Sequence, residues 1–457
     1  MIPRTRSISF RLIALGGILT LFLVLYTFTT TPSFDFLPFL SEGRTRSSCP
    51  PEEYSNGRWV YDTSATNRSM TTQSDALEFS GFQGCASSRE FYWHLGAGEK
   101  EEEQRRFPRV TNWRWQPSPQ CTTREFSAEA MVRDLVEQGG WLLLGDSITE
   151  GQFFSLSCML FPHVIATPDY VKNPYFDRAW PQNLYINPES PLIHKLRFPP
   201  GFNITITPLV TFRRVDLLLE QGELVELHRS LYDPPEDFSL FSEEQAWNLS
   251  PDYYLQLFAA PLPEANYGSM ILSTGGHWTT TLFSGYRDES KEEQGFGIDG
   301  VVRFFREAMS FWADQVQSGV RSMDGQVLAD GKRGRRQVVV RAYLPGHEDC
   351  HKAQEPWTKI QPWIWKWFNW ANIEEYNQVF QDVLSNAQYP DIHFLPIDRP
   401  ARLRPDAVSL ILSTESIYAS SLRLENVVEE SSFCGGMDTF SRPNDLMWIL
   451  GILMRDI

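Results

Sequence analysis

Short runs of strand-forming residues, each closing in a small or polar turn and alternating with helical periods, constrain this 457-residue chain more than any other feature. "GGWLLLGDS" (139–147) is an apolar run that stops in a polar turn, and "GQFFSLSCMLF" (151–161) then suits a helix. That is the strand, turn, helix order of a parallel α/β unit. "NITITPLVTFRRV" (203–215), "YGSMILSTGGHW" (267–278), "RRQVVVRAYLPG" (335–346) and "IHFLPI" (392–397) predict further strands. Val301, Phe305, Met309, Trp312 and Val316 recur at helical spacing and predict an amphipathic helix, and "EEYNQVFQDVLSN" (374–386) predicts another. The expected fold is α/β, a doubly wound sandwich with a mainly parallel sheet. Reactive groups in such sheets gather beyond the carboxyl ends of the strands. Gly145, Asp146 and Ser147 close the first run, Gly275, Gly276 and His277 a middle one, and Gly346 and His347 a later one.

The N-terminus adds an address. Residues 12–28 carry no charge, and Arg4, Arg6 and Arg11 precede them. At about 1.5 Å of rise per residue the stretch is just long enough for a thin bilayer. It predicts a signal anchor, with residues 1–11 cytosolic and the rest of the chain across the membrane. A cleaved signal peptide is the alternative, and both send the body out of the cytosol. Residues 29–48 read as a stem. Asn67, Asn203 and Asn248 each open an N-x-S/T triplet. Cys49, Cys85, Cys121, Cys158, Cys350 and Cys434 are dispersed and even in number, as luminal disulfides would be, with the connectivity open. The formal net charge of -16 leaves no basic footprint, which excludes nucleic acid as an expected partner. Residues 49–122 hold three cysteines and a series of aromatics, and we expect disulfides to pin them onto a body formed by 123–457.

A serine at a strand end, ahead of a helix, exposes its hydroxyl while nearby N–H groups face a developing oxyanion. Asp146 and Ser147 can equally be a plain helix cap. The surroundings carry more. "GDSITEGQFFSLSCML" (145–160) resembles the GDS block of the trichome birefringence-like and PC-esterase proteins, polysaccharide O-acetyltransferases of the GDSL/SGNH superfamily. "CPPEEYSNGRWVYD" (49–62) and "TNWRWQPSPQC" (111–121) resemble that family's cysteine-rich N-terminal segment. "STGGHW" (273–278) resembles its glycine-histidine-tryptophan block, and "RPARLRPDA" (399–407) the stretch leading into its final motif.

The resemblance implies an SGNH-hydrolase-like sandwich in which Ser147 is the nucleophile and Asp146 orients its loop. The N–H groups of Ser147 and Gly151 would hold the oxyanion. Ser273 and Thr274 stand where SGNH enzymes often place an asparagine, and Gly276, His277 and Trp278 would shape the substrate site. It further implies a single-pass type II protein of the Golgi or ER membrane with a luminal catalytic body. That body would take acetyl-CoA or another acetyl donor as co-substrate and a polysaccharide or glycan as acceptor, with no tightly bound cofactor and no metal. A carbohydrate esterase shares the same acetyl-serine. A non-catalytic polysaccharide-binding scaffold is the reading from a different class.

That last reading arises from a departure. The family's Asp and His come from a D-x-x-H motif shortly before a cysteine and a D-T-W-like patch. Here "FCGGMDTF" (433–440) resembles the patch, but "EESS" (429–432) stands where the motif should end, so the general base is left unassigned. Residues 408–432 look unrelated to the family although both flanks resemble it. Either an intron has been translated in error or the base has been lost. Among other histidines, His393 reads as an ordinary strand residue. His347 and His351 read as loop residues, for which a metal site with Asp349 and Cys350 competes with a disulfide at Cys350. Trp363, Trp365 and Trp367, at alternate positions, read as core more readily than as sugar platforms.

Overall fold

Trp59 and Trp115 face inward from two short strands, β1 (Arg58–Tyr61) and β2 (Trp113–Gln116), which pair antiparallel with those two residues opposite each other. The computed structural model describes residues 49–65, 67–89, 101–123, 126–173, 180–323, 336–344, 346–348, 353–362, 367–407, 409–410 and 433–435. The 12–28 stretch, His351, Cys350, Asp349, Trp363 and Trp365 lie outside them, as does the side chain of Trp367. Among the described residues no helix is long and apolar enough to cross a membrane.

Beyond the N-terminal segment comes α1 (Ala128–Glu137), capped by Ser127 through the N–H of Ala130, and then β3 (Gly140–Gly145). Every residue of β3 is buried. "GWLLLG" therefore lacks the alternation of a half-exposed strand, as a central parallel strand should. Then follow α2 (Ser147–Met159), β4 (Val164–Thr167), β5 (Gln182–Ile186), β6 (Val210–Arg214), α3 (Gln221–Tyr232), α4 (Pro251–Ala259) and β7 (Tyr267–Leu272). The 26-residue α5 (Ile298–Met323) buries Val301, Phe305, Met309, Trp312 and Val316 against its neighbours α4 and α6 (Ile373–Leu384). Strands β8 (Gln337–Arg341) and β10 (Ile392–Leu395) complete the sheet, while the short β9 (His347–Glu348) lies in a separate one.

The seven-stranded sheet runs β10-β8-β7-β3-β6-β5-β4. Its first five strands are mutually parallel, β5 runs antiparallel to both its neighbours, and the edge strand β4 again points the way of the five. The fold is therefore mixed α/β with a mostly parallel central sheet. The chain leaves β3 to build one flank (β4, β5, β6) and then returns beside β3 to build the other (β7, β8, β10). In open α/β sheets ligand sites gather where the strand order reverses, which here is the carboxyl end of β3. One strand expectation is corrected. Of "NITITPLVTFRRV", only Val210–Arg214 is strand, because the Asn203 carboxamide accepts from both the N–H and the hydroxyl of Thr205 and closes a local turn.

Two disulfides are formed among the described residues. Cys49–Cys121 closes the N-terminal segment on itself, and Cys85–Cys158 ties it to α2. With sequence separations of 72 and 73, each removes about 4 kcal/mol of chain entropy from the unfolded state in the loop-closure account. The segment is also clamped by the 399–407 stretch. The Trp59 indole donates to the Pro400 carbonyl at 3.0 Å, and Arg399 donates to the carbonyls of Ser55 (2.7 Å) and Gly57 (2.8 Å). "RPARLRPDA" is thus a structural clasp for the first N-terminal block, and Arg399 also lies 5.9 Å from the Trp115 ring of the second. Past the clasp, β11 (Ser409–Leu410) pairs with β12 (Phe433–Gly435), Ser409 opposite Gly435, and β12 pairs with β9.

Candidate active site

Four adjacent strands end at one edge, and each delivers polar residues there. Gly145 ends β3 opposite Arg214, the last residue of β6, and Ser273 and Thr274 follow β7. Arg341 ends β8, with Tyr343 two residues on. The turn after β3 is tight. A Cβ on Gly145 would run into the side chain of Thr149 and the carbonyl of Ser273, so only glycine fits.

Asp146 caps α2. Its carboxylate accepts from the Ile148 N–H at 3.0 Å and from the Tyr343 hydroxyl at 2.7 Å, and its carbonyl accepts from the N–H groups of Thr149 and Glu150 at 3.0 Å each. These bonds fix the turn between β3 and α2. Burial pushes the Asp146 carboxyl above the usual carboxylate range, Asp216 adds to the rise, and His277 opposes it. Tyr343 is fixed in turn by Asn377, which accepts from its N–H at 2.7 Å and donates to its carbonyl at 3.0 Å. Burial and then Asp146 push the Tyr343 hydroxyl well above the ordinary tyrosine range, which keeps it a donor to that carboxylate.

Ser147 is the first residue of α2 and half-buried. Asp146 satisfies the N–H groups that follow it. Among the described residues neither the Ser147 hydroxyl nor its N–H has a hydrogen-bond partner. An uncommitted hydroxyl and an uncommitted N–H thus share one residue at a helix N-terminus, where the helix dipole favours negative charge.

The remaining expected donors are corrected or narrowed. Gly151 is the fifth residue of α2, where the N–H belongs to the helix's own ladder and is not available to an oxyanion. The Thr274 hydroxyl donates to the Asp216 carbonyl at 2.5 Å and accepts from the Trp278 indole at 3.1 Å, so its one proton is committed. Among the described residues Ser273 keeps a buried hydroxyl without a partner, while its N–H donates to the Leu144 carbonyl. Trp278 is wholly buried against Phe283, with ring centroids 4.7 Å apart, and cannot touch substrate. Gly276 lies against the Tyr343 hydroxyl, where any Cβ would collide, so it shapes the site by letting Tyr343 reach Asp146. His277 is 27% exposed, with Nε2 3.8 Å from Asp216 Oδ1.

Asp216, Arg214, Tyr343 and Arg341 went unread in the sequence. Asp216 is fully buried. It accepts from the Trp247 N–H at 2.8 Å and from Arg214 Nε at 3.2 Å, while the Arg214 guanidinium lies 3.7 Å over the Trp247 ring. Burial opposes the Arg214 charge, but Asp216, Glu150 and Asp146 more than offset it and raise its pKa. Arg341 donates to Thr149 Oγ1 at 3.2 Å, and burial lowers it to about 10. The signal for all four was available, since each is a polar residue at or just past the end of an apolar run. The other histidines stand elsewhere. His347 is buried with Nε2 3.0 Å from the Ala401 carbonyl, and His393 lies on the edge strand β10. Among the described residues no group of three or more His, Cys, Asp or Glu side chains is placed to hold a metal. No protein-family model matches the chain, and no curated protein matches it at a significant level.

Proposed function

We propose that this chain is an SGNH-like serine acyltransferase that moves acetyl groups onto hydroxyls of a polysaccharide or glycan through an acetyl-Ser147 intermediate. The observation that carries the reading is Ser147 itself, whose free hydroxyl and free N–H sit together at the carboxyl end of the central strand. The doubly wound reading of the sheet and the GDS, GGHW and N-terminal blocks favour the same class. In the reaction the Ser147 oxygen bonds to the acetyl carbon of a donor such as acetyl-CoA. The oxyanion is met by the Ser147 N–H and, if its hydroxyl turns inward, by Ser273. A sugar hydroxyl then takes the acetyl group. Two disulfides support an oxidising compartment, in keeping with a luminal body on a Golgi or ER anchor.

The test incubates the full chain with labelled acetyl donor and oligosaccharides. Label on the sugar is expected, and Ser147→Ala should lower it by about 10⁴-fold or more with stability changed by less than about 0.5 kcal/mol. Label released only as acetate would make the protein a carbohydrate esterase. Sugar labelling retained in Ser147→Ala would overturn the assignment of the nucleophile.

A further inference from the structure

We infer that His277, oriented by Asp216, is the general base of the Ser147 centre and stands in for the Asp and His missing near the C-terminus. The inference rests on the Ser147 reading. Asp146 cannot serve, since its carboxylate already accepts the Ile148 N–H and the Tyr343 hydroxyl. His277 is partly exposed, as a group that exchanges protons with substrate must be, while its partner Asp216 is wholly buried and held by Trp247 and Arg214. The Nε2 to Oδ1 separation of 3.8 Å is an ion-pair distance, of the kind that tightens when a site fills. The stretch that carries His277 follows β7, which runs beside β3: the Ser273 N–H donates to the Leu144 carbonyl at 3.1 Å, and the Ser273 carbonyl lies against Gly145, two residues before Ser147. The preceding Gly276 packs on the Tyr343 hydroxyl that holds Asp146. Arg214 and Asp216 reach this group from the end of β6, Asp146 from the turn after β3, Tyr343 from beyond β8, and Glu244 from the loop before α4.

The step balances. As the Ser147 oxygen bonds to the acyl carbon, its proton passes to the ring nitrogen turned away from Asp216. When the acyl bond to the leaving atom breaks, that proton leaves with it. The accepting hydroxyl gives its own proton to the imidazole as it attacks, and the imidazole returns it to the serine oxygen.

The test reads the rate at which a fluorophosphonate labels Ser147 in the full chain across pH. The wild-type rate should rise with pH along one titration as the imidazole becomes neutral. His277→Ala should lower it by about 10²- to 10⁴-fold and flatten that rise, with partial rescue by added imidazole. Asp216→Asn, which can still accept from the Trp247 N–H, should slow labelling by less than His277→Ala does. Labelling that depends on Ser147 but is unchanged in rate and pH profile by His277→Ala would overturn the inference alone. A wild-type serine inert to the reagent would overturn both the inference and the reading beneath it.

Discussion

Two buried Arg-x-Asp pairs of the same spacing stand among the described residues, Arg214–Asp216 and Arg404–Asp406, and their surroundings differ. Side-chain exposures are 6% and 0% in the first and 0% in both residues of the second. Around Arg404 the partners are backbone and ring. The guanidinium donates to the Val110 carbonyl at 2.6 Å and lies 4.4 Å over Trp59, and Arg106 donates to the Asp406 carbonyl at 2.8 Å. Around Arg214 the neighbours are ionisable, namely Asp146, Glu150 and Asp216, and a partly exposed histidine stands beside the last. Arg404–Asp406 is enclosed by carbonyls and an aromatic ring, and the one histidine whose pKa Arg404 helps to lower, His347, is itself buried and shielded from proton exchange with solvent. A like pair opening onto an accessible imidazole can steer a proton. Burial and motif alone therefore do not separate a clasp from a reactive centre; the groups next to the pair do.

The comparison breaks most readily at the clasp. Asp406→Ala leaves a fully buried guanidinium without its counter-charge and should cost about 3–5 kcal/mol in chemical unfolding. Fluorophosphonate labelling of the fraction that remains folded should be unchanged. A large loss of labelling at unchanged stability would show that the clasp belongs to the reactive edge after all.

A smaller effect is expected from His347, on the clasp side of the molecule. Burial lowers its pKa to about 4 from an ordinary value near 6.5, so between those values the unfolded chain binds a proton that the folded one does not. Stability should be complete above about pH 6.5 and fall by about 3 kcal/mol as pH drops towards 4. His347→Gln, which can still donate to the Ala401 carbonyl, should remove that part of the acid sensitivity in unfolding curves measured at several pH values. Smallest is Gly276→Ala on the reactive side. Its methyl must displace the Tyr343 hydroxyl, at about 1–3 kcal/mol, and loosen Asp146. Labelling of Ser147 should slow more than that stability loss explains, and an unaltered rate would show that Tyr343 does not hold the turn.

Much of the frame was legible before the structure. The runs at 139–147, 267–278, 335–346 and 392–397 each contain a strand of the parallel sheet, because strands covered on both faces are written as unbroken apolar runs. The antiparallel pair β4 and β5 was missed, since "VIAT" and "QNLYI" are short and partly polar. Ile204 and Ile206 imitated strand alternation within what proved to be a turn closed by Asn203.

The order of residues along the chain determined the α/β class, the serine at the end of the central strand and the aspartate that caps the helix behind it. Each of these depends on neighbours within a few positions. Tertiary structure alone decided which polar groups are spent and which are left to act. Tyr343 meets Asp146 across 197 residues, and Trp247 holds Asp216 across 31. Thr274 was disqualified, and Trp278 sealed away, by contacts that form only when the strands lie side by side. A donor's availability depends on every acceptor within reach, and that set exists only once the chain has folded.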